Sequence, residues 1–130
     1  MLRVARVEDA PAIAELEMEL FPGECFNEYT IRRELEVGIG WVEDEPFSGY
    51  VLVRLDGELA DITRLGVSEE FQGKGVGSRL LEKALTTAPK IMLSVRKYNL
   101  RALKLYLTRG FKITAEIGDS WVMLRKTELT

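Results

Sequence analysis

Seven consecutive residues, Gln72-Gly73-Lys74-Gly75-Val76-Gly77-Ser78, have the composition of an anion-binding turn. Glycines at alternate positions lack the Cβ atoms that would hold an oxygen away, and they accept the positive φ that a tightly curled loop requires. Strand-like residues Ala60 to Val67 precede the turn, and Val76, Leu80, Leu81, Ala84 and Leu85 follow it at helical spacing. A helix starting here offers unpaired N–H groups and the positive end of its dipole, so its backbone can hold a diphosphate without a charged side chain. Two familiar phosphate loops are excluded by spacing. A G-x-G-x-x-G fingerprint would need glycine at Ser78 or Leu80, and a P-loop would need Ser or Thr where Gly75 follows Lys74.

Residue types that are missing limit the chemistry as much as those present. The chain has no histidine, and Cys25 is its only cysteine. An intramolecular disulfide, a zinc site of the usual Cys/His kind and a Ser-His or Cys-His nucleophile are therefore all excluded. A metal-free reaction without a covalent enzyme intermediate is expected.

The elements that position the turn can be read in chain order. At 130 residues the chain fits one domain, residues 1–130, with one core. Leu2 and Val4 suggest a short strand; Asp9 is placed as a helix N-cap with Pro11 in the first turn. Ile13, Leu16 and Leu20 form that helix's apolar stripe, with its glutamates expected on the wet side. Phe21-Pro22-Gly23 ends it, Asn27 caps a second helix carrying Ile31 and Leu35, and the intervening Phe21 to Phe26 is a candidate acceptor loop. Strands follow at Ile39 to Glu43, Phe47 to Leu55 and Glu58 to Val67, with Asp56-Gly57 as a two-residue hairpin turn. After the glycine-turn helix come a strand at Lys90 to Val95, a helix capped by Asn99 and closed by Gly110, and a final strand pair. The order β-α-α-β-β-β-α-β-α-β-β predicts a mixed α/β sheet with helices packed on it.

Net charge is −3, with acidic residues dense between Glu8 and Glu45 and basic ones dominant from Lys90 onward. Basic residues are not interleaved with aromatics, so nucleic acid is not an expected partner. No apolar run reaches the ~20 residues of a membrane span, and Met1 to Asp9 has no signal-peptide core, so a cytoplasmic protein is expected.

Gln72-Gly73-Lys74-Gly75-Val76-Gly77 matches a Q/R-x-x-G-x-G/A signature, and Asn99, Ala102, Tyr106, Gly110 and Phe111 complete N-x-x-A-x-x-x-Y-x-x-x-G-F after the next strand. Together with the element order, these motifs resemble the GCN5-related N-acetyltransferases over nearly the whole chain. Phe21-Pro22 and Ser94-Val95-Arg96 are most similar to the RimI-type ribosomal-protein N-terminal acetyltransferases. The resemblance implies a mostly antiparallel sheet splayed between its fourth and fifth strands, helices on both faces, and acetyl-CoA as cosubstrate. It implies that Leu65, Gly66 and Val67 meet the pantetheine with main-chain groups. Gln72, Gly73, Lys74, Gly75, Val76, Gly77 and Ser78 hold the pyrophosphate, and Asn99 contacts the pantetheine arm. Tyr106 falls at the position of the acid that protonates the departing thiolate.

The family's glutamate base falls on Ser94, so the base must lie elsewhere or the acceptor must differ. Glu58 and Asp61 on the strand before the turn, or Glu24 and Glu28 in the acceptor segment, are the replacements. The acceptor implied is a primary amine, a peptide N-terminus or a small molecule, reached by direct transfer in a ternary complex. A CoA-binding sensor that has lost turnover is the alternative, and pairing of the last strands between two copies is a possible homodimer.

Overall fold

The computed structural model describes residues 1–127. Seven strands form one sheet in the order β1-β2-β3-β4-β5-β7-β6. They are β1 (Leu2–Val4), β2 (Ile39–Glu43), β3 (Gly49–Asp56), β4 (Leu59–Val67), β5 (Lys90–Arg96), β6 (Lys112–Ile117) and β7 (Ser120–Lys126). Among the described residues only β4 and β5 run parallel; every other strand pair is antiparallel. The four helices are α1 (Ala10–Leu20), α2 (Glu28–Val37), α3 (Val76–Ala84) and α4 (Leu100–Thr108). Among the described residues, no helix is long and apolar enough to cross a membrane.

Strand alternation divides the core between the two faces. Val42, Tyr50 and Leu52 pack with Ile13, Leu16 and Ile31 of α1 and α2. Trp41, Val51, Val53, Ala60 and Ile62 face the other way, onto Val76, Leu80, Leu81 and Ala84 of α3 and Tyr106 of α4. Leu80 and Leu81 lose all contact with solvent; truncating a leucine so placed costs about 2–5 kcal/mol. This apolar stripe docks α3 and so holds its N-terminus at the end of β4.

A β-bulge interrupts β4. Register passes from Val53↔Ile62 to Leu52↔Arg64, leaving Thr63 as the inserted residue, whose hydroxyl donates to the Leu52 carbonyl at 3.3 Å. Ala60 and Ile62 face α3 before the bulge, and Leu65 and Val67 face it afterwards, so the parity of the strand reverses. Arg64 consequently points to the α1–α2 face.

Three local expectations are corrected. The β3–β4 turn is Gly57-Glu58, since Asp56 pairs with Leu59; only Gly57 of the two has positive φ, +60°, the pattern of a type II′ turn. Glu58 is thus a turn residue. Asp9 does not cap α1 with its side chain: Arg3 holds its carboxylate at 2.8 Å, which also accepts the Arg6 N–H. Glu17 is fully buried, although α1's glutamates were expected in water. The acidic region between Glu8 and Glu45 and the basic region from Lys90 onward are joined by the Glu24–Arg96 ion pair.

Candidate active site

β4 and β5 pair from Leu59↔Lys90 to Ile62↔Leu93. Beyond that point the bulge carries β4 away while β5 stays on β7 as far as Arg96↔Ser120. The fourth and fifth strands therefore splay, and two cavities of about 670 and 330 Å³ open along the gap. The larger begins at the glycine turn and runs along Leu65, Gly66 and Val67 to α4. The smaller lies among Thr63, Arg64, Ser94, Arg96 and Ser120. Phe21, Glu24, Leu65, Arg96, Asn99, Ala102 and Tyr106 line both, so the two cavities adjoin at these residues.

At the far end of the larger cavity, Gly73 and Gly75 have φ of +80° and +84°. Gly75 is the N-cap of α3, and the first helical bond runs from the Arg79 N–H to the Gly75 carbonyl at 3.0 Å. Val76, Gly77 and Ser78 are left with N–H groups that have no intrahelical acceptor. A Cβ built on Gly73 would meet nothing within 4 Å, so it is φ rather than crowding that asks for glycine there. Gln72 ties the turn to β4 by donating from Nε2 to the Val67 carbonyl at 3.0 Å. Gln72, Gly73, Gly75, Gly77 and Ser78 line the cavity; the Lys74 ammonium lies over the Phe71 ring, and Val76 is buried in the core. This combination of open space, left-handed glycines and unpaired amides fits a diphosphate.

Tyr106 stands where the cavities meet. Its ring packs edge-on against Phe111 with centroids 5.6 Å apart, and burial raises the phenol pKa. Its hydroxyl has no protein hydrogen-bond partner among the described residues and is not among their sealed, unsatisfied atoms, so it opens to the cavity. About two turns earlier, Asn99 caps α4, accepting the Ala102 N–H at 3.2 Å, while also lining both cavities.

The carboxylates suggested by the sequence are dispersed. Glu58 sits in the turn that starts β4; at ~3.3 Å per residue it is about 23 Å along the strand from Leu65. Asp61 lies opposite Arg54 and Met92 in the fully paired part of β4, on the α1–α2 face and outside both cavities. Burial pushes its pKa up, with Arg54 opposing and Glu34 reinforcing the shift. Glu28, in the first turn of α2, pairs with Arg32 at 3.4 Å and lines neither cavity. Glu24 lines both, and its carboxylate meets the Arg96 guanidinium at 2.7 Å. Ser94 is exposed in the smaller cavity on the same side of β5 as Arg96.

Sequence reasoning did not anticipate Arg64 and Glu17. The Arg64 guanidinium lies 4.2 Å from the centroids of both Phe21 and Phe26, and its Nε donates to Glu17 at 2.9 Å. Arg64 was hidden by the bulge and Glu17 by its resemblance to its solvated neighbours. The usable signal for Glu17 was helical phase, one residue after Leu16 and four after Ile13.

A mixed sheet that splits beside a glycine-lined helix start, with a second cavity across the split, is the architecture of the CoA-dependent N-acyltransferase class. The chain belongs to the acetyltransferase (GNAT) family, whose model matches residues 6–111. It is 35% identical over 123 residues to the N-alpha-acetyltransferase RimI of Mycobacterium tuberculosis, covering 80% of this chain and 73% of that one. It is 38% identical over 79 residues to the peptidyl-lysine N-acetyltransferase YjaB of Salmonella typhimurium, covering 59% and 51% respectively. The chain thus spans about half the length of that curated relative. The ribosomal-protein-S18-alanine N-acetyltransferase of Escherichia coli superposes with a TM-score of 0.84 at 17% identity, over 100% of this chain and 96% of that one.

Proposed function

We propose that this chain transfers the acetyl group of acetyl-CoA directly to a primary amine, a peptide α-amine or a small-molecule amine. The single observation that carries the reading is the adjoining pair of cavities, with the diphosphate cradle at one end and Glu24, Arg96 and Tyr106 at the junction. Bound acetyl-CoA would supply an activated thioester. Backbone amides from Gly73 to Ser78 would grip its diphosphate, and the unpaired edges of Leu65 to Val67 and the Asn99 amide would align its pantetheine arm.

Three requirements then fall on the chain: a neutral amine, support for the developing oxyanion, and a proton for the departing thiolate. Tyr106 supplies the proton, its hydroxyl kept protonated by burial and free to turn toward the sulfur. Backbone N–H groups at the splayed end of β4 support the oxyanion. Glu24 takes the amine proton, directly or through one water, because it is the carboxylate that lines both cavities.

Magnitudes favour an acceptor that is easily deprotonated. An α-amino group of pKa ~8 costs about 1.4 kcal/mol to neutralise at pH 7, against about 4.6 kcal/mol for a lysine of pKa ~10.4. With serine at the family's base position, α-amines and low-pKa small amines rank above lysine.

Thiol release from acetyl-CoA with a panel of peptides, small amines and lysine side chains tests this. Faster release with α-amines is expected; a preference for lysine contradicts the ranking. Exposed Ser94 favours a second reading, a CoA-binding module without turnover, which predicts CoA binding and no thiol release on any amine.

A further inference from the structure

Arg64 lines the smaller cavity and pairs with the fully buried Glu17; neither has a part in the proton transfers assigned above, yet their contacts converge on the acceptor loop. Arg64 reaches the loop because the Thr63 bulge turns it away from α3. Its Nε donates to both Glu17 oxygens, at 2.9 and 3.2 Å, and its Nη2 donates to the Glu24 carbonyl at 2.8 Å. Its guanidinium plane fills the space between Phe21 and Phe26, 4.2 Å from each ring centroid. Glu17 secures the same loop from below, accepting the Phe26 N–H at 2.8 Å and the Tyr50 hydroxyl.

For stability alone, a buried ion pair is replaceable by well-packed apolar side chains and is often no better than they are. What such side chains lack is directional grip. A guanidinium offers a planar fork that bonds a carboxylate and a carbonyl together while stacking on two rings, which neither leucine nor lysine can do. Phe21, Glu24 and Phe26 are all on the segment joining α1 to α2, and two of them wall both cavities.

We infer that Arg64 is a positioning residue: it fixes the α1–α2 loop in the shape that receives the acceptor, and so sets acceptor affinity without touching acetyl-CoA. This rests on the amine-transfer reading of the smaller cavity. It predicts that loosening Arg64 mobilises the loop and weakens the acceptor's binding, while cosubstrate binding at the glycine turn stays as it was.

The test uses the whole chain with Arg64→Lys, which keeps the charge and loses the fork. Because that variant strains a buried carboxylate, a second, Glu17→Gln with Arg64→Met, removes both charges and leaves an amide to accept from Phe26. Amide exchange at Phe26 measures the loop without any substrate, and thiol release gives separate KM values for acetyl-CoA and for the best amine. Loss of one charge-assisted bond should speed Phe26 exchange about tenfold in Arg64→Lys and raise the acceptor KM about tenfold in both variants, with the acetyl-CoA KM within about twofold. Unchanged Phe26 exchange in Arg64→Lys, or an unchanged acceptor KM in both folded variants, overturns the inference. Absence of thiol release by the parent on every amine would instead sink the transfer reading, and the exchange arm would still judge Arg64's grip on the loop.

Discussion

Glu24 and Arg96 form a two-point ion pair, Nη2 to Oε1 at 2.7 Å and Nε to Oε2 at 3.3 Å, that joins the α1–α2 loop to the end of β5 across the split sheet. Both side chains are over a third exposed, so the pair contributes only about 0–1 kcal/mol to stability. Its importance is positional. It holds a carboxylate at the boundary of the two cavities, where the proposed transfer requires the amine to lose a proton.

Glu24→Gln tests that carboxylate as the base. A positioned base typically contributes about 10²–10⁴ to rate, so kcat should fall at least about a hundredfold with acetyl-CoA affinity unchanged. A melting temperature close to the parent's would show that the loss is chemical. Full activity would leave water alone to take the amine proton.

Tyr106→Phe removes one oxygen and keeps the ring on Phe111. Because the hydroxyl has no protein partner among the described residues, stability should barely change, while kcat drops about a hundredfold if it is the acid. The raised pKa fixes a further sign: the phenol stays protonated well above pH 10, so Tyr106 gives no falling alkaline limb below that pH. A limb near pH 9 that disappears in Tyr106→Phe would contradict the assignment.

Gly75→Val should weaken the proposed grip on the diphosphate. At φ +84° a β-branched residue is strained by about 1–3 kcal/mol, and its Cβ would stand 3.2 Å from the Arg79 guanidinium. Calorimetric titration should show acetyl-CoA binding weakened about tenfold or more.

Acid stability depends on Arg3. Its hydrogen bonds hold the carboxyls of Asp9 and Asp44 below their usual range. Groups so depressed add stability above their unfolded pKa of ~3.9, and that stability disappears as pH falls through the folded values. Melting measured from pH 6 to pH 2 should therefore fall less steeply in Asp9→Asn than in the parent. Parallel curves would remove Asp9 from the account.

Asp61 has the opposite sign. Burial raises its pKa, so its ionised form costs stability above the folded pKa, and the cost vanishes as the group protonates. Asp61→Asn should raise the melting temperature at pH 7 and lose that gain near pH 3; a uniform gain at both pH values would point to packing instead.

Much of this protein is legible in the chain because its signals are local. Glycine spacing at 73, 75 and 77, the caps at Asn27 and Asn99, and the periodicity of α3 are properties of a few neighbouring residues, and the folded backbone follows them. Even the element order, and with it the family, is a sum of such local preferences. The carboxylates could not be sorted in this way. Glu17, Glu24, Glu28, Glu58 and Asp61 are alike in sequence, and what separates them is the distance each has from the split between β4 and β5.

That distance was decided by tertiary structure, through one inserted residue. Side chains alternate with period two, so the bulge at Thr63 reverses the facing of everything after it: Arg64 goes to the acceptor loop, and Leu65 is brought to the α3 face. A bulge is a mismatch between two paired strands and exists only once β3 lies beside β4. The sequence by itself determined the glycine turn and the family; which charged groups look into the cleft was settled by strand pairing.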